Sequence, residues 1–229
     1  MSKAPNLLND DGTASMATAL LMSHHGFRRD IARFARALAR PLAGDAAKVA
    51  ALEGEWKSYR ATLHGHHEAE DNGLFPGLRA QNAALAAVID RLGADHRRID
   101  PLLERGDQAF AALGARQADA LAVVRELAGL LDEHLALEEA EVIPFIRAAK
   151  QFPPPGTDAE AAMYAQGFAW ACEGVAEAVL ARLNDMLPTN LVSHLPAARA
   201  AFDDRSQRVW GVGTRGASRT AAPDGFETR

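Results

Sequence analysis

The sequence predicts an all-α protein, an antiparallel four-helix bundle followed by a C-terminal helical extension. Three observations carry this. Alanine and leucine dominate a chain of 229 residues in which aromatics are only 6%, a balance that favours helices over strands. Apolar residues recur near every 3.6 positions in long segments. The chain also repeats itself, each half reading as a pair of helices. Apolar residues make up 48%, enough to bury a core of domain size.

Residues 1–14 read as a flexible leader, with Pro5, Asn9, Asp10, Asp11 and Gly12. Thr13 or Ser15 is placed to cap a first helix, which runs to about Arg40 and buries Leu20, Leu21, Phe27, Ile31, Phe34 and Leu38. Gly44 and Asp45 form a turn and cap. A second helix covers about Ala46 to Asp71 and is broken by Asn72-Gly73. A third runs from near Asn82 to near Gly114, with a kink expected at Pro101. The fourth covers about Gln117 to Lys150, with Pro144 near its end. Pro153-Pro154-Pro155-Gly156 is the clearest boundary in the chain. Beyond it a fifth helix is expected over Ala159 to Leu187, capped by Asp158, and a short one over Leu195 to Val209. The expected domains are therefore the bundle at 15–150, the extension at 151–210, and a tail at 211–229 too poor in apolar residues to order.

The repeat carries the chemistry. His66-His67-Glu68-Ala69-Glu70-Asp71 is followed by Leu74-Phe75-Pro76, and His134-Leu135-Ala136-Leu137-Glu138-Glu139 by Val142-Ile143-Pro144. In both, a glutamate stands four after a histidine, a second acid follows it, and proline stands ten after the histidine. The first and third helices match more loosely. His24 precedes Phe27 by three and His96 precedes Ile99 by three, each beside paired arginines. Residues i and i+4 share a helix face about 6 Å apart by rise. Four inward-facing helices would thus present four imidazoles and two carboxylates at similar depth. Imidazole suits iron, copper, zinc and nickel, and a carboxylate can bridge two ions. A single His-x-x-x-Glu on a helix is weak evidence, because solvated i,i+4 pairs are common. The doubled motif beside Leu63 and Leu137 is much stronger, since buried histidines and carboxylates without a metal would be costly. The acids after the glutamates, Asp71 and Glu139, are either orienters of ligand histidines or solvated residues at a helix exit.

At these residues the chain resembles the hemerythrin-like, or HHE cation-binding, family, over roughly residues 16–150. The segments from His24 to Asp30, from Leu63 to Pro76 and from Glu133 to Pro144 carry the resemblance. It implies an up-down bundle around two non-haem irons bridged by carboxylates and an oxo or hydroxo group, zinc or manganese being the lesser candidates. The implied roles are binding, sensing, storing or scavenging dioxygen, nitric oxide or peroxide, with iron sensing a further known role. Carried over by position, the ligands are His24, His66, Glu70, His96, His134 and Glu138. His25 competes with His24. His67 is a further candidate, although it points about 100° around the helix from His66. The oxygen carriers of the family have a second histidine four positions along the third helix. Here that position is Asp100, followed by Pro101, and Asp100 is a ligand, an outer hydrogen-bond acceptor or a kink cap. Six protein ligands would leave about two of the twelve positions of two six-coordinate ions open, which favours reactivity over reversible storage. His64 and His194 read as ordinary surface or structural histidines.

Met163, Phe168, Trp170, Val175, Val179, Leu183 and Leu187 make the fifth helix nearly apolar all round. It must bury itself by capping the bundle, covering the mouth of the site or forming a homodimer. Cys172 there reads as a small buried hydrophobe. A di-iron oxygenase or oxidase is the enzymatic alternative, with Trp56, Phe168 or Trp170 lining an organic-substrate pocket. A helical interaction module with structural zinc is another. A net charge of −5 argues against a nucleic-acid partner. The lack of an apolar run of about 18 residues argues against a membrane partner. The lone cysteine and the absence of a signal-like N-terminus point to the cytoplasm.

Overall fold

The computed structural model describes residues 6–211. The expected disordered tail lies outside them except for Gly211, as do residues 1–5 of the leader. Among the described residues every regular element is helical. The helices are α1 (Met16–Leu38), α2 (Ala46–Ala69), a π-helical turn (Glu70–Leu74), α3 (Phe75–Gln81), a 3-10 turn (Ala83–Leu85), α4 (Ala86–Phe110), α5 (Leu113–Glu141), α6 (Ile143–Ile146), α7 (Asp158–Ala171), α8 (Glu177–Asn184) and α9 (Thr189–Trp210). No helix among them is long and apolar enough to cross a membrane.

The chain divides into two compact units, Phe27–Val142 and a second made of Met1–Gly26 with Ile143–Arg229. These differ from the sequence-based boundaries, for the division falls inside α1.

In the unit Phe27–Val142, the remainder of α1 with α2, α4 and α5 forms the antiparallel four-helix bundle. Short connections force neighbours to run antiparallel, and only Ala111 and Ala112 separate α4 from α5. Asp45 caps α2 by accepting from Lys48 N at 2.9 Å, after Gly44 takes a φ of +85° that other residues avoid. The core is laid down at helical spacing. Leu52, Trp56, Tyr59 and Leu63 come from α2, Leu92, Ile99, Leu103 and Phe110 from α4, and Val124, Leu127, Leu131 and Leu135 from α5. Asp30 is one of the buried acids of this unit. Asp30 is held by Arg29, at 2.8 and 2.9 Å to its two oxygens, and by Arg33 at 3.1 Å, so its charge is compensated inside the fold.

Several boundaries depart from the sequence reading. Asn72-Gly73 does not break the second helix. The chain continues through a π turn in which Phe75 N–H donates to Glu70 O, five residues back, and Pro76 takes an early α3 position that needs no N–H. α4 passes through Pro101. α5 begins earlier than expected, at Leu113, and Arg116 within it has non-helical φ and ψ.

In the other unit, the leader is tied down from Asn6 to Ala14. The Arg147 guanidinium donates to the carbonyls of Asn6 and Leu8, and Thr18 Oγ1 donates to Leu7 O at 2.7 Å. The fifth helix is two. α7 is capped by Thr157, not by Asp158, and ends before Gly174, whose φ is +83°; α8 follows. α9 starts at Thr189, earlier than expected, and runs through Pro196. α7 buries Ala161, Ala165, Phe168, Ala169 and Trp170, and the Trp170 ring lies directly over Gly26, where an added Cβ would meet it at 2.6 Å. Trp170 thus packs on Gly26, and Phe168 packs on Phe152 at 5.2 Å.

Gly106 on α4 faces the Trp56 ring so closely that a Cβ there would overlap it. Gly106→Ala should lower unfolding stability by about 1–3 kcal/mol. Gly129→Ala, with nothing within 4 Å of the new Cβ, should raise it by about 0.5–1 kcal/mol. Denaturant titration checks both, and a neutral Gly106→Ala contradicts the packing described.

Candidate metal centre

The bundle's polar residues gather where α2, α4 and α5 face one another. α2 contributes His66 and His67, its π continuation Glu70 and Asp71, α4 His96, and α5 His134 and Glu138. All but His66 and Asp71 are buried, and the His66 side chain is only 9% exposed.

The donors form two groups. His67, His96 and His134 each offer a nitrogen, all within 4.8 Å of one another. His66, Glu70 and Glu138 offer a nitrogen and two oxygens at the same spread. Nitrogen and oxygen ligands stand about 2.0–2.2 Å from a transition-metal ion, so donors on opposite sides of one ion are about 4.2 Å apart. Each group is close enough together to hold a cation.

Glu70 joins the groups. Its Oε1 lies 2.9 Å from His66 Nε2 and its Oε2 lies 3.5 Å from His96 Nε2. The other nitrogen of His96, Nδ1, meets Asp71 Oδ2 at 3.0 Å. Consecutive acids thus hold both nitrogens of one imidazole. The His96 ring stacks on His67 at 4.0 Å and on Phe75 at 5.9 Å, which fixes its plane. The site's polar atoms fit metal cations: imidazoles and carboxylates, with the His96 nitrogens facing acids.

His67, the lesser candidate in the sequence, joins a donor group together with His66. The 100° between them points into the bundle on both sides, His66 toward the Phe27 ring at 5.1 Å and His67 toward α4 and α5. His24 is fully buried on α1, one turn before Phe27. His25 is engaged elsewhere, its Nε2 at 3.2 Å from the Glu173 carbonyl. Asp100 is exposed; the continuous helix turns it to solvent while His96 and Ile99 face inward. His64 is paired with Glu68 at the surface, and His194 with Asp158. Glu139, the counterpart of Asp71 in the repeat, takes Arg28 instead. Trp56 lies in the aromatic core, 1% exposed.

Burial alone would lower the His96 pKa, but hydrogen bonds and charge from Glu70 and Asp71 outweigh it and raise the value. A raised pKa in the fold contributes stability that is fully present below the ordinary imidazole range and is lost as pH rises through the folded value. Metal-free protein should therefore lose stability across that rise, and Asp71→Asn should reduce the loss. Thermal midpoints across the titration check this, and identical pH profiles for the two proteins contradict it.

Comparison with known families matches residues 15–146 to the model described as "Hemerythrin HHE cation binding domain". Comparisons with curated proteins and with solved structures give no match.

Proposed function

The chain belongs to the hemerythrin HHE cation-binding domain family, and we propose that it is a non-haem di-iron protein that binds or reacts with dioxygen, nitric oxide or peroxide. The observation carrying this reading is Glu70, whose two oxygens face histidines of different donor groups. A carboxylate so shared is suited to bridge two ions.

The proposed ligands are His24, His66, Glu70, His96, His134 and Glu138, with His67 added. His24 is included because it is buried on the helix that carries Phe27 against His66. The groups within the bundle unit would then be His66, Glu70 and Glu138, and His67, His96 and His134, with Glu70 shared. Where six protein ligands would leave about two of twelve positions open, seven would leave about one when both glutamates are shared by the two ions. That favours capture of one small ligand at a defined position. Bound iron supplies the electrons and the Lewis acidity for this chemistry. The residues do the rest. His67, Phe75 and Asp71 hold the His96 ring still, and the buried leucines around the cluster exclude water. The single cysteine, Cys172, agrees with a cytoplasmic site of action.

Aerobically purified protein should contain about two irons per chain and show charge-transfer absorption that azide perturbs. Glu70→Ala and His67→Ala should each at least halve the iron content, and Asp100→Ala should leave it unchanged. Elemental analysis checks all three. Full iron loading in Glu70→Ala, or stoichiometric zinc in its place, would overturn the proposal.

A further inference from the structure

One face of α2 runs from the candidate metal centre into an aromatic column. Trp56, Tyr59, Leu63, His66 and Glu70 recur at three- and four-residue intervals and so share that face. The His66 ring is 5.1 Å from Phe27, Phe27 is 5.9 Å from Tyr59, and Tyr59 is 5.9 Å from Trp56. Trp56 stacks on Phe110 at 4.4 Å with an interplanar angle of 5°. Ten residues of helix separate Trp56 from His66, about 15 Å.

The Trp56 ring is accommodated by Gly106, and a glycine inside a helix costs about 1 kcal/mol relative to alanine. The indole N–H is also directed at a base. Trp56 Nε1 donates to Asp107 Oδ1 at 2.9 Å. The Asp107 side chain is 41% exposed, and its other oxygen takes Arg60 Nε at 2.8 Å. A buried, oxidisable ring therefore has a carboxylate proton acceptor that opens to solvent.

We infer that Trp56 is a one-electron relay between the metal-binding cluster and the protein surface, with Asp107 accepting its indole proton. The inference rests on the preceding reading, with peroxide as the oxidant. The electron leaves the indole π system and passes by Tyr59 and Phe27 toward His66. The indole radical cation is a much stronger acid than the indole. Its N–H bond breaks with the electron pair left on nitrogen, and the proton goes to Asp107 Oδ1 and on to water. A low-molecular-weight thiol then returns one electron and one proton as its S–H bond breaks, and the thiyl radicals of two rounds couple to a disulfide. Two such rounds supply the two electrons and two protons that cleave the O–O bond of one peroxide and give two waters. Tyr59 is a bridge on this route, not a resting place. Burial, and then the charge of Asp30, hold its phenol proton far more tightly than usual, and the hydroxyl contact at 3.4 Å is the Phe27 carbonyl, a weak base.

The test uses a Trp170→Phe, Trp210→Phe background, in which Trp56 is the remaining tryptophan of the three. Metal-free protein is photo-oxidised by flash–quench with a ruthenium polypyridyl complex. Transient absorption should show a neutral indole radical, and Asp107→Asn should slow its formation from the radical cation by about a hundredfold. Iron-loaded protein is then mixed with peroxide, frozen within milliseconds and examined by electron paramagnetic resonance. A tryptophan radical should appear, and Trp56→Phe, with unchanged helicity and iron content, should abolish it. Deprotonation indifferent to Asp107→Asn overturns the proton route. Peroxide consumption by iron-loaded protein without a Trp56 radical overturns the relay while leaving the metal reading intact. A chain that takes up no iron overturns that reading, and the relay with it, even where the flash–quench result is as expected.

Discussion

Glu70 is the residue on which the arrangement turns. A carboxylate in an apolar helical core costs several kcal/mol unless partners surround it, and Glu70 has histidines at both oxygens. Its own N–H still bonds His66 O as in an α-helix, and the π turn begins at this residue. In a continuous α-helix, Glu70 and Asp71 would diverge by about 100°. In the turn Glu70–Leu74, both engage His96, one at each ring nitrogen. The wider turn also carries the chain over Asn72 and Gly73 without ending it, so Phe75 reaches the far face of the same imidazole. Such turns recur at functional sites because one inserted residue re-aims a side chain without unfolding the helix.

The repeat behind the site is symmetric in sequence and asymmetric in structure. Asp71 binds a histidine, whereas Glu139 binds Arg28, which also reaches Asp132. One half of the site thus has an imidazole made electron-rich by a carboxylate behind it. The other half has its acid neutralised by a guanidinium. Two ions held here would stand in unlike environments, as suits a centre where one ion is closed and the other receives a ligand.

Much of this was legible in the sequence, because the doubled His-x-x-x-Glu with its trailing acid and proline is a pattern that packing alone does not produce. The helices of the bundle followed from apolar spacing. What escaped was local. His67 looked turned away because a 100° rotation takes a residue off a narrow face, but α2 is flanked on both sides by the bundle, so both directions are interior. Asp100 occupied a position where a relative's ligand stands, and only the course of α4 through Pro101 shows it facing water. The π turn left no signal beyond Asn72-Gly73, which more often ends a helix. The split of the C-terminal helix depended on the turn at Gly174, a glycine inside an apolar run with no flanking proline to announce it.

The central claim is that the donor groups joined by Glu70 hold a pair of iron ions. Anomalous diffraction at the iron absorption edge, from crystals of the loaded protein, tests it most directly. The account predicts two peaks separated by a few ångström, one bounded by His67, His96 and His134, the other by His66 and Glu138, with Glu70 between them. A single peak, or peaks outside this cluster, would contradict it.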